Sequence, residues 1–389
     1  MNKRIKVLQL QPDYHENSHN YSDLAEQIVA AFPREHYEVT SAFIRGKPEP
    51  GHPTSRAEKT VYFDLPDDAL HGLRLQLLRQ IYGFLRRESF DVVICNRFKQ
   101  VSLLMHLNCL LRIPVCIGIS HGLGEYDTLL RRLRARMLID NSWRFVGVSP
   151  AVKHYLLGKH CGFTEENTTA INNAIDIART ESEQHSREEA RKLLNLPQEA
   201  RIIGAAGRLV RIKGHRYLIQ AFAKICDQHP DTHLCVIGNG REEASLRAEI
   251  ARLGIEQRVH LPGFVAGAKR FVRAFDLWTM PSLTEGLPLA LLEGMIGHLP
   301  IIASDIPSMR FLIDGAGGIA VPPADVESLA GALEGYLSIP PSALAAKGEI
   351  AYEYLRKNHS IDEYRTAYRL LVEEALAKHA ASRHKDSRA

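Results

Sequence analysis

Two glutamates lie eight residues apart where a strand-like run gives way to a helix-like one. The segment 282–293 reads SLTEGLPLALLE, follows the apolar run 277–280 and predicts a helix that opens at Pro288, because proline suits a first helical turn. The first amides of a helix have no partner inside it and can meet an anion. Glu285 before the helix and Glu293 two turns in could then hold hydroxyl groups, so the pattern suits a sugar nucleotide. A helix-dipole role for Glu285 with a solvated Glu293 is the alternative.

Two cations lie five residues apart in the loop that follows another apolar run. The segment Gly207–Gly214 reads GRLVRIKG and comes directly after residues 201–206. Arg208 can clamp phosphate oxygens with its planar fork, and Lys213 adds a point charge. The loop is not a Walker A motif, because the pattern Gly-x-x-x-x-Gly-Lys is absent. Alone it fits an ordinary basic loop; together with the glutamate segment it predicts neutralisation of a diphosphate at one sheet edge.

A third loop has the form Gly-x-Gly. Gly238, Asn239 and Gly240 follow the apolar run 232–237. A single Gly-x-Gly is weak evidence, since it is usually only a tight strand-to-helix turn. The third glycine of the dinucleotide fingerprint is missing, and no acidic residue ends a later strand at the expected distance. These gaps exclude a nicotinamide enzyme.

One short match points to a different chemistry. His15 and His19 belong to the sequence HENSH, which has the form of the zincin motif His-Glu-x-x-His. That motif needs both histidines on one helical face and a third ligand. Here it follows a strand and Pro12, and its interior residues Asn17 and Ser18 are poor helix formers. We interpret it as a chance match and expect no metal site, but its position at the mouth of the first sheet makes His15 and His19 candidates for acceptor contact.

These loops must be positioned by parallel sheets, because short β-branched runs alternate along the chain with longer amphipathic segments. In the first half the predicted strands are 5–10, 38–44, 91–95, 114–119 and 144–148, and the predicted helices are 20–31, 68–88, 99–111, 126–138 and 150–157. In the second half the predicted strands are 201–206, 232–237, 258–261, 276–279 and 300–303, and the predicted helices are 214–228, 241–253, 268–274 and 287–297.

The alternation predicts an α/β protein with two doubly wound domains. Residues 176–198 are charged and poor in strand-like runs, so the linker is placed around them. The predicted domains are 1–178 and 179–350, followed by helices over 351–378 that pack back toward the N-terminal domain and a basic tail over 379–389. Ligands of such sheets bind beyond the carboxyl ends of the strands, so the cleft between the domains is the expected site.

Composition fits a folded, soluble protein. The chain has 389 residues, of which 45% are hydrophobic and 24% charged, a length that favours two domains. Its apolar runs are too short to cross a bilayer, and the N-terminal run is too short for a signal peptide. The six cysteines form no Cys-x-x-Cys pair and are expected to be buried thiols. We therefore expect a cytoplasmic protein.

The net charge of +4 is mild, but the arginines are clustered. One group follows residue 130 and the other decorates a predicted helix: Arg131, Arg132, Arg134, Arg136 and Arg144, and Arg74, Arg79, Arg86 and Arg87. Solvated helix faces and a surface for an anionic lipid headgroup or phosphorylated glycan are both open interpretations. A nucleic-acid partner is not expected, because no aromatic side chains interleave with the charges.

Taken in order, these pieces resemble the retaining GT-B glycosyltransferases of the family-four type. The resemblance is carried by the glycine–arginine and lysine–glycine pairs of the cationic loop, the Gly-x-Gly turn, the glutamate segment and two flanking motifs: Gly207–Leu209, Lys213–Gly214, Gly238–Gly240, LPGF over 261–264, residues 285–293, VGVS over 146–149 and NAID over 173–176. It covers the second domain nearly throughout. The first domain is similar mainly in its strand–helix order and in His121.

The resemblance implies a GT-B fold, two Rossmann-like domains facing across a cleft, and a role for each motif. Arg208 and Lys213 should bind the donor diphosphate, and Glu285 should hold a donor-sugar hydroxyl. Glu293 should take the ribose hydroxyls, and His121 should lie near the sugar, although a structural histidine is the alternative. The remaining expected contacts are the backbone neighbours Gly207, Asn239, Gly240, Gly286, Leu287, Pro288 and Leu289, with Gly263 and Phe264 near the base.

The implied reaction is metal-independent hexosyl transfer with retention, the nucleotide sugar being a substrate and not a cofactor. The cations and the helix N-terminus would stabilise the departing diphosphate. Two positions depart from the family pattern: the segment 11–19 stands where many relatives have a Gly-Gly turn, and Ser304-Asp305-Ile306-Pro307 lacks the usual glycine. These departures leave acceptor binding and the backbone approach to the donor open.

Within this family the sequence resembles Gram-negative lipopolysaccharide core transferases, and the resemblance is carried by ISHGLGEY over 119–126 and the arginine-rich helix after it. It implies a lipopolysaccharide core glycan or glycolipid as acceptor and work at the inner face of the cytoplasmic membrane, and the basic surface of the first domain fits a phosphorylated acceptor. UDP-glucose is the first expected donor, ahead of UDP-N-acetylglucosamine and GDP-sugars. A GT-B sugar-nucleotide epimerase or phosphorylase, or an inactive nucleotide-sugar-binding protein, are the alternatives.

Overall fold

The computed structural model describes residues 3–14, 21–49, 51–52, 54–66 and 75–386. The chain forms two compact units. The first unit comprises Met1–Asn173 and Asp362–Ala389, and the second comprises Ala174–Ile361. The sequence predicted the first division at 178/179 and the second at 350/351. The structure instead divides the chain at 173/174 and 361/362.

The first unit is built on a seven-stranded parallel sheet with the order β3-β2-β1-β4-β5-β6-β7. Its elements in chain order are β1 (Ile5–Asp13), α1 (Tyr21–Ala30), β2 (Tyr37–Arg45), β3 (Lys59–Tyr62), α2 (Leu75–Glu88), β4 (Val92–Asn96), α3 (Arg97–Leu111), β5 (Val115–Ser120), α4 (Leu129–Leu138), β6 (Trp143–Gly147), α5 (Pro150–Leu157) and β7 (Thr168–Ala170). Strands β4 and β5 are buried along their whole length, as expected for central strands of a parallel sheet covered on both faces.

The second unit is built on a six-stranded parallel sheet with the order β10-β9-β8-β11-β12-β13. Its elements are α6 (Ile177–Glu183), α7 (Arg187–Leu193), β8 (Arg201–Ala206), α8 (His215–Ile225), β9 (Thr232–Ile237), α9 (Glu243–Leu253), β10 (Val259–Gly263), β11 (Leu277–Met280), α10 (Leu289–Ile296), β12 (Ile301–Ser304), α11 (Pro307–Gly315), β13 (Ile319–Val321), α12 (Val326–Leu337) and α13 (Pro341–Asn358). The final helix, α14 (Ile361–Asp386), begins at the division between the units.

The first unit includes the C-terminal segment of the chain. Within it, the Tyr37 hydroxyl donates to the Glu373 carboxylate of α14 over 3.3 Å, and the Arg365 guanidinium donates to the Gln27 side-chain oxygen over 2.8 Å. Helix α13, by contrast, belongs to the second unit. The helices that the sequence grouped together over 351–378 are therefore divided between the units, and α14 continues into the segment predicted as a tail.

The segment 176–198, around which the sequence placed the linker, starts close to the division at 173/174 and contains two short helices. Asp176 caps α6 by accepting from the Arg179 amide over 3.2 Å, and Ser186 caps α7 by accepting from the Glu189 amide over 3.2 Å. Such caps satisfy amides that a helix cannot pair internally. The charged composition that suggested a linker therefore supplies caps and solvated faces of short helices.

Strand β1 is longer than predicted and runs through Pro12 to Asp13. Its pairing with β4 ends at Leu10, whereas its pairing with β2 continues to Asp13. Pro12 is not among the paired residues of either register, so its missing N–H removes no ladder hydrogen bond.

Each unit has its own hydrophobic core, consistent with independent doubly wound sheets. Of the six cysteines, all within the described ranges, five are buried and Cys109 is exposed, and none is in a disulfide. Across the ranges described, no helix has the length and apolar character that spanning a membrane requires.

Candidate functional site

Four loops of the second unit lie at the carboxyl edge of its sheet. They follow β8, β9, β10 and β11, which are neighbours in the sheet, and they contain the cationic loop, the Gly-x-Gly turn, Gly263–Phe264 and the glutamate segment. The strand order reverses between β8 and β11, because β9 and β10 lie on one side of β8 and β11 to β13 lie on the other. Such a switch point is where doubly wound sheets bind ligands.

The two charged loops meet directly at this switch point. The Leu283 amide donates to the Ile212 carbonyl over 2.8 Å, which joins the loop after β11 to the loop after β8. The Lys213 ammonium donates to the Glu285 carboxylate over 2.6 Å, and both side chains are mostly buried, with exposed fractions of 16% and 12%. The structure therefore places a paired cation and anion, 72 residues apart in sequence, at the point expected for a ligand.

Two glycines allow these loops to approach one another. Gly214 has φ +68°, and a Cβ there would lie 1.9 Å from the Pro281 carbonyl oxygen. Gly238 has φ +147°, and a Cβ there would lie 1.9 Å from the Gly207 carbonyl oxygen. Any larger residue would push the loops apart, so the glycines are needed for backbone contact between neighbouring strand ends.

Helix α10 follows the glutamate segment and begins at Leu289, with Pro288 as its N-cap. The sequence predicted the opening at Pro288, and the proline therefore stands one position before the first helical residue. The helix is held on β11 by Trp278, whose indole N–H donates to the Ala290 carbonyl over 2.8 Å. A Cβ at Gly294 would lie 2.2 Å from the Trp278 ring, so the absence of a side chain there lets the helix seat closely. This packing fixes the helix N-terminus beside Glu285.

Glu293 lies in the second turn of α10 with a perturbed carboxyl group. Burial raises its pKa, while the positive charges of Lys269 and Lys213 oppose that rise. Lys269 is itself buried, with an exposed fraction of 6%, and its ammonium lies 3.9 Å from the Glu183 carboxylate. The sequence analysis predicted Glu293 but missed Lys269, because a lysine in the basic segment AKRFVRA over 268–274 gives no sequence signal of burial.

The other predicted residues of the second unit lie on the same loops. Arg208 is exposed, and Phe264 at the end of β10 has an exposed fraction of 52%. An exposed aromatic ring at a strand end is available for stacking. The backbone of Asn239 joins the loop after β9 to the loop after β8, because its carbonyl accepts from the Leu209 amide over 2.8 Å. Gly240 lies next to it in the same turn. The structure thus brings the predicted donor-site residues together at one edge of one sheet.

In the first unit, His121 lies directly after β5. Its Nε2 is 3.2 Å from the Asn96 side-chain oxygen at the end of the neighbouring strand β4. Burial and the charge of Arg97 lower the pKa of His121 to about 4, so the imidazole is neutral at pH 7. Since an amide oxygen can only accept, this contact assigns the proton to Nε2 and leaves Nδ1 as an acceptor. His121 is therefore suited to accept a hydroxyl hydrogen.

Two further polar groups surround His121 that the sequence analysis missed. The Asn96 side-chain nitrogen is buried and has no hydrogen-bond partner within the described part of the chain. Glu125 accepts from the His121 amide over 3.4 Å, and burial raises the pKa of Glu125 to about 7 against the opposing effects of Ser120 and Arg97. An unpaired buried donor and a partly protonated carboxyl group are both costly unless a ligand uses them.

The structure does not place the predicted residues His15 and His19 at the carboxyl edge of either sheet. His15 and His19 lie outside the described residues, so their predicted acceptor contact stays a prediction. Over the described ranges no group of three or more His, Cys, Asp or Glu side chains is arranged to hold a metal ion. In the loop after β12, Asp305 pairs with Arg310 at 2.9 Å, so the segment that departs from the family pattern is tied to α11.

Family models match both units. Residues 24–179 match the model described as "Glycosyltransferase Family 4", and residues 186–353 match "Glycosyl transferases group 1". The fold is similar to a crystal structure of Anabaena Alr3699/HepE in complex with UDP-glucose, with a TM-score of 0.74 at 18% identity over 97% of this chain and 100% of that one.

The chain belongs to the family-four type of GT-B glycosyltransferases.

Curated relatives of this GT-B chain differ in their sugars. It is 28% identical over 199 residues to a 2-deoxystreptamine glucosyltransferase of Streptomyces kanamyceticus, across 50% of this chain and 46% of the relative. It is 27% identical over 211 residues to the lipopolysaccharide core biosynthesis mannosyltransferase LpcC of Rhizobium leguminosarum bv. viciae, across 53% of this chain and 59% of the relative. The GT-B chain therefore spans about half the length of the curated relatives it matches.

Proposed function

We propose that the protein is a retaining hexosyltransferase that moves a sugar from a nucleotide sugar to a hydroxyl of a glycan acceptor. The observation that carries this proposal is the Lys213–Glu285 pair at the β8/β11 switch point, beside the N-terminus of α10. A cation for phosphate and a carboxylate for a sugar hydroxyl lie there within 2.6 Å of one another.

The cationic loop supports the diphosphate part of the proposal. Lys213 is held at the strand end and Arg208 is exposed on the same loop, where its guanidinium can reach a ligand. The amides of residues 286–289 at the start of α10 add a helix N-terminus, which favours an anion. When the bond from the sugar to the diphosphate breaks, these groups stabilise the negative charge that develops on the departing phosphate.

The glutamates support the sugar and ribose parts. Glu285 accepts a hydrogen bond from a donor-sugar hydroxyl once Lys213 turns toward phosphate. Glu293 accepts from the ribose hydroxyls, with Lys269 and Lys213 favouring its carboxylate form. Phe264 directly follows β10 at the same carboxyl edge of the sheet, and its exposed ring can stack on the base.

Chemistry without a metal cofactor follows from the same charges. Lys213, Arg208 and the helix N-terminus supply the electrostatic stabilisation that a divalent cation gives in other transferases. The acceptor hydroxyl attacks from the face that the diphosphate leaves, with the departing phosphate taking its proton, so the anomeric configuration is retained. The proposal predicts that turnover is unchanged by a chelator.

UDP-glucose is the proposed first donor. The GT-B structure of similar fold contains UDP-glucose, and one curated relative carries the name glucosyltransferase. The second relative carries the name mannosyltransferase, so a GDP-sugar is the competing donor to be tested beside it. The acceptor that we propose is the lipopolysaccharide core, which would place the protein at the inner face of the cytoplasmic membrane in peripheral contact with lipid; the name of that same relative supports this choice.

The test is thermal-shift binding with UDP-, GDP- and ADP-sugars, followed by transfer to lipopolysaccharide core oligosaccharide with and without chelator. A ligand that binds only the folded protein stabilises it in proportion to the logarithm of its concentration over Kd. One nucleotide sugar should raise the melting temperature of the wild type and should raise it much less for Lys213→Ala and Glu285→Ala.

A matched pair serves as the control. Lys224 and Glu327 also lie 2.6 Å apart in the second unit but are largely exposed, at 49% and 77%. Lys224→Ala and Glu327→Ala should keep the full ligand-induced shift. If no nucleotide sugar stabilises the wild type, or if both pairs behave alike, the proposed donor site is wrong.

A further inference from the structure

An apolar strip lies on the surface of α4 in the first unit. Leu129, Leu130, Leu133 and Met137 have exposed fractions of 65%, 65%, 47% and 75%. At about 3.6 residues per turn, these four side chains fall within an arc of about 100° along a helix about 15 Å long. We call this set the leucine face. Apolar side chains at such spacing normally mark the buried side of a helix, but here they point to solvent.

The opposite side of α4 is already packed. Ala135 is fully buried, and the Arg131 guanidinium lies over the Phe98 ring at 4.5 Å from the centroid. Arg131 also donates to the Glu125 carbonyl over 3.0 Å. The helix is thus anchored to the loop that carries His121, and rotation of the leucine face into the core would break these contacts.

Positive charge borders the leucine face. Helical spacing places Arg134 along one side of it and Arg136 along the other, and residues 129–138 contain no acidic side chain. A second copy of this chain is a poor occupant, because apposed leucine faces would bring like charges together. A soluble phosphorylated glycan would satisfy the arginines but would leave the leucines in water.

We propose that α4 lies in the interface of an anionic lipid membrane, with the leucine face in the acyl boundary and Arg134 and Arg136 at the headgroups. Leucines on one side of a helix and arginines at its borders are the combination that binds such surfaces. This inference deepens the proposed function and rests on it for its purpose: the same contact brings the His121 loop, tied to α4 through Arg131, to a lipid-linked acceptor.

The experiment is co-sedimentation of the full-length protein with vesicles of phosphatidylcholine alone and of phosphatidylcholine with phosphatidylglycerol. Wild type should bind the anionic vesicles and bind the neutral ones weakly. Leu129→Gln with Leu133→Gln and Met137→Gln should weaken binding about tenfold or more, because the apolar contribution is removed. Arg134→Gln with Arg136→Gln should weaken binding to anionic vesicles alone, by about fivefold per charge.

The matched control removes three exposed apolar side chains elsewhere. Leu193, Ile350 and Leu370 have exposed fractions of 54%, 53% and 47%, and their triple replacement by Gln should leave vesicle binding unchanged. Thermal melts of all variants check that each is folded.

Three outcomes would overturn the proposal. They are no binding of wild type to either vesicle, equal loss in the control triple variant, and leucine-face variants that bind anionic vesicles like wild type. Self-association through α4 in place of vesicle binding, seen by sedimentation velocity, counts against it equally.

Donor binding separates this inference from the proposed function. The leucine-face variant should keep the full thermal shift with nucleotide sugar, because its substitutions lie outside the second unit. If the wild type binds vesicles but no nucleotide sugar raises its melting temperature, the transferase proposal is wrong and the membrane proposal remains. If a nucleotide sugar raises the melting temperature but the wild type binds no vesicles, the membrane proposal is wrong and the transferase proposal remains.

Discussion

The Lys213 ammonium donates a 2.6 Å hydrogen bond to the Glu285 carboxylate across the switch point of the second sheet. Neither side chain is more than 16% exposed, so each charge depends on the other while no ligand is bound. A donor diphosphate would compete with Glu285 for Lys213 and would release Glu285 for a sugar hydroxyl. Ligand binding and rearrangement of this pair are therefore coupled.

Separate effects on affinity and rate are the first prediction. Lys213→Ala should weaken donor binding about 10- to 100-fold, since a charge-assisted hydrogen bond contributes about 1.5–3 kcal/mol. Glu285→Gln keeps the side-chain shape and should lower kcat by about 10²–10³ with a smaller effect on Kd. Calorimetric Kd and initial rates for both variants check this, with Lys224→Ala and Glu327→Gln as controls expected to match wild type. If Lys213→Ala and its control Lys224→Ala lose the same affinity for the donor, the assignment of Lys213 to the donor site is wrong.

A pH dependence of donor binding follows from Glu293. Burial raises the pKa of this carboxyl group, and its protonated form accepts ribose hydroxyls less well. Donor affinity should therefore fall as the pH drops through that raised pKa. Lys269→Met removes one of the two opposing cations, so the fall should begin at higher pH, whereas Glu293→Gln should abolish it.

The measurement is Kd for the nucleotide sugar between about pH 5 and pH 8, bracketing the range above the ordinary carboxyl pKa. Titration of the nucleotide itself affects all variants alike and cancels in the comparison. Superimposable profiles for wild type and Glu293→Gln would show that this carboxyl group does not control donor binding.

Glu125 predicts a stability change of defined sign. Its pKa in the folded protein is about 7, above the ordinary value of about 4.3 expected when unfolded. Between these values the folded state binds more protons, so this group lowers the free energy of unfolding as pH rises through that window. Glu125→Gln removes this pH dependence. The free energy of unfolding of the variant, relative to that of the wild type, should therefore be higher at pH 8 than at pH 5.

Urea unfolding at the two pH values tests this. Glu166 is exposed in the same unit, and Glu166→Gln should show no such pH-dependent difference. A Glu125→Gln variant that tracks wild type at both pH values would mean that the buried environment of Glu125 does not persist in solution.

The close approach at Gly238 predicts a specific cost. Gly238→Ala would force the Gly207 carbonyl to move, because the added Cβ would lie 1.9 Å from its oxygen. The loops after β8 and β9 should then separate, with loss of stability and of donor binding. Gly254→Ala is the matched control, since Gly254 has φ +69° but no atom within 4 Å of an added Cβ. Its cost should be limited to backbone strain of about 1 kcal/mol, with donor Kd unchanged.

Local pattern was sufficient for much of the fold. Alternating β-branched and amphipathic segments predicted the α/β class, and both family models and the fold comparison confirm the family-four GT-B interpretation. Because β8 to β11 pair in parallel, the loops that follow them meet at one edge, so Lys213, Glu285 and Gly238 could be assigned to one site. The two short helices within the linker segment were not predicted, since capped helices of seven residues resemble charged loops in composition.

Tertiary structure alone decided which charges meet and which faces stay exposed. Strand order placed Lys213 against Glu285, Lys269 near Glu293 and Asn96 beside His121, because spatial neighbours in a parallel sheet come from distant parts of the chain. Burial, a property of the folded surroundings, set the pKa of Glu125. The spacing of Leu129, Leu133 and Met137 is the same for a buried and an exposed face, and only packing of the opposite side of α4 against the first unit left these side chains in solvent.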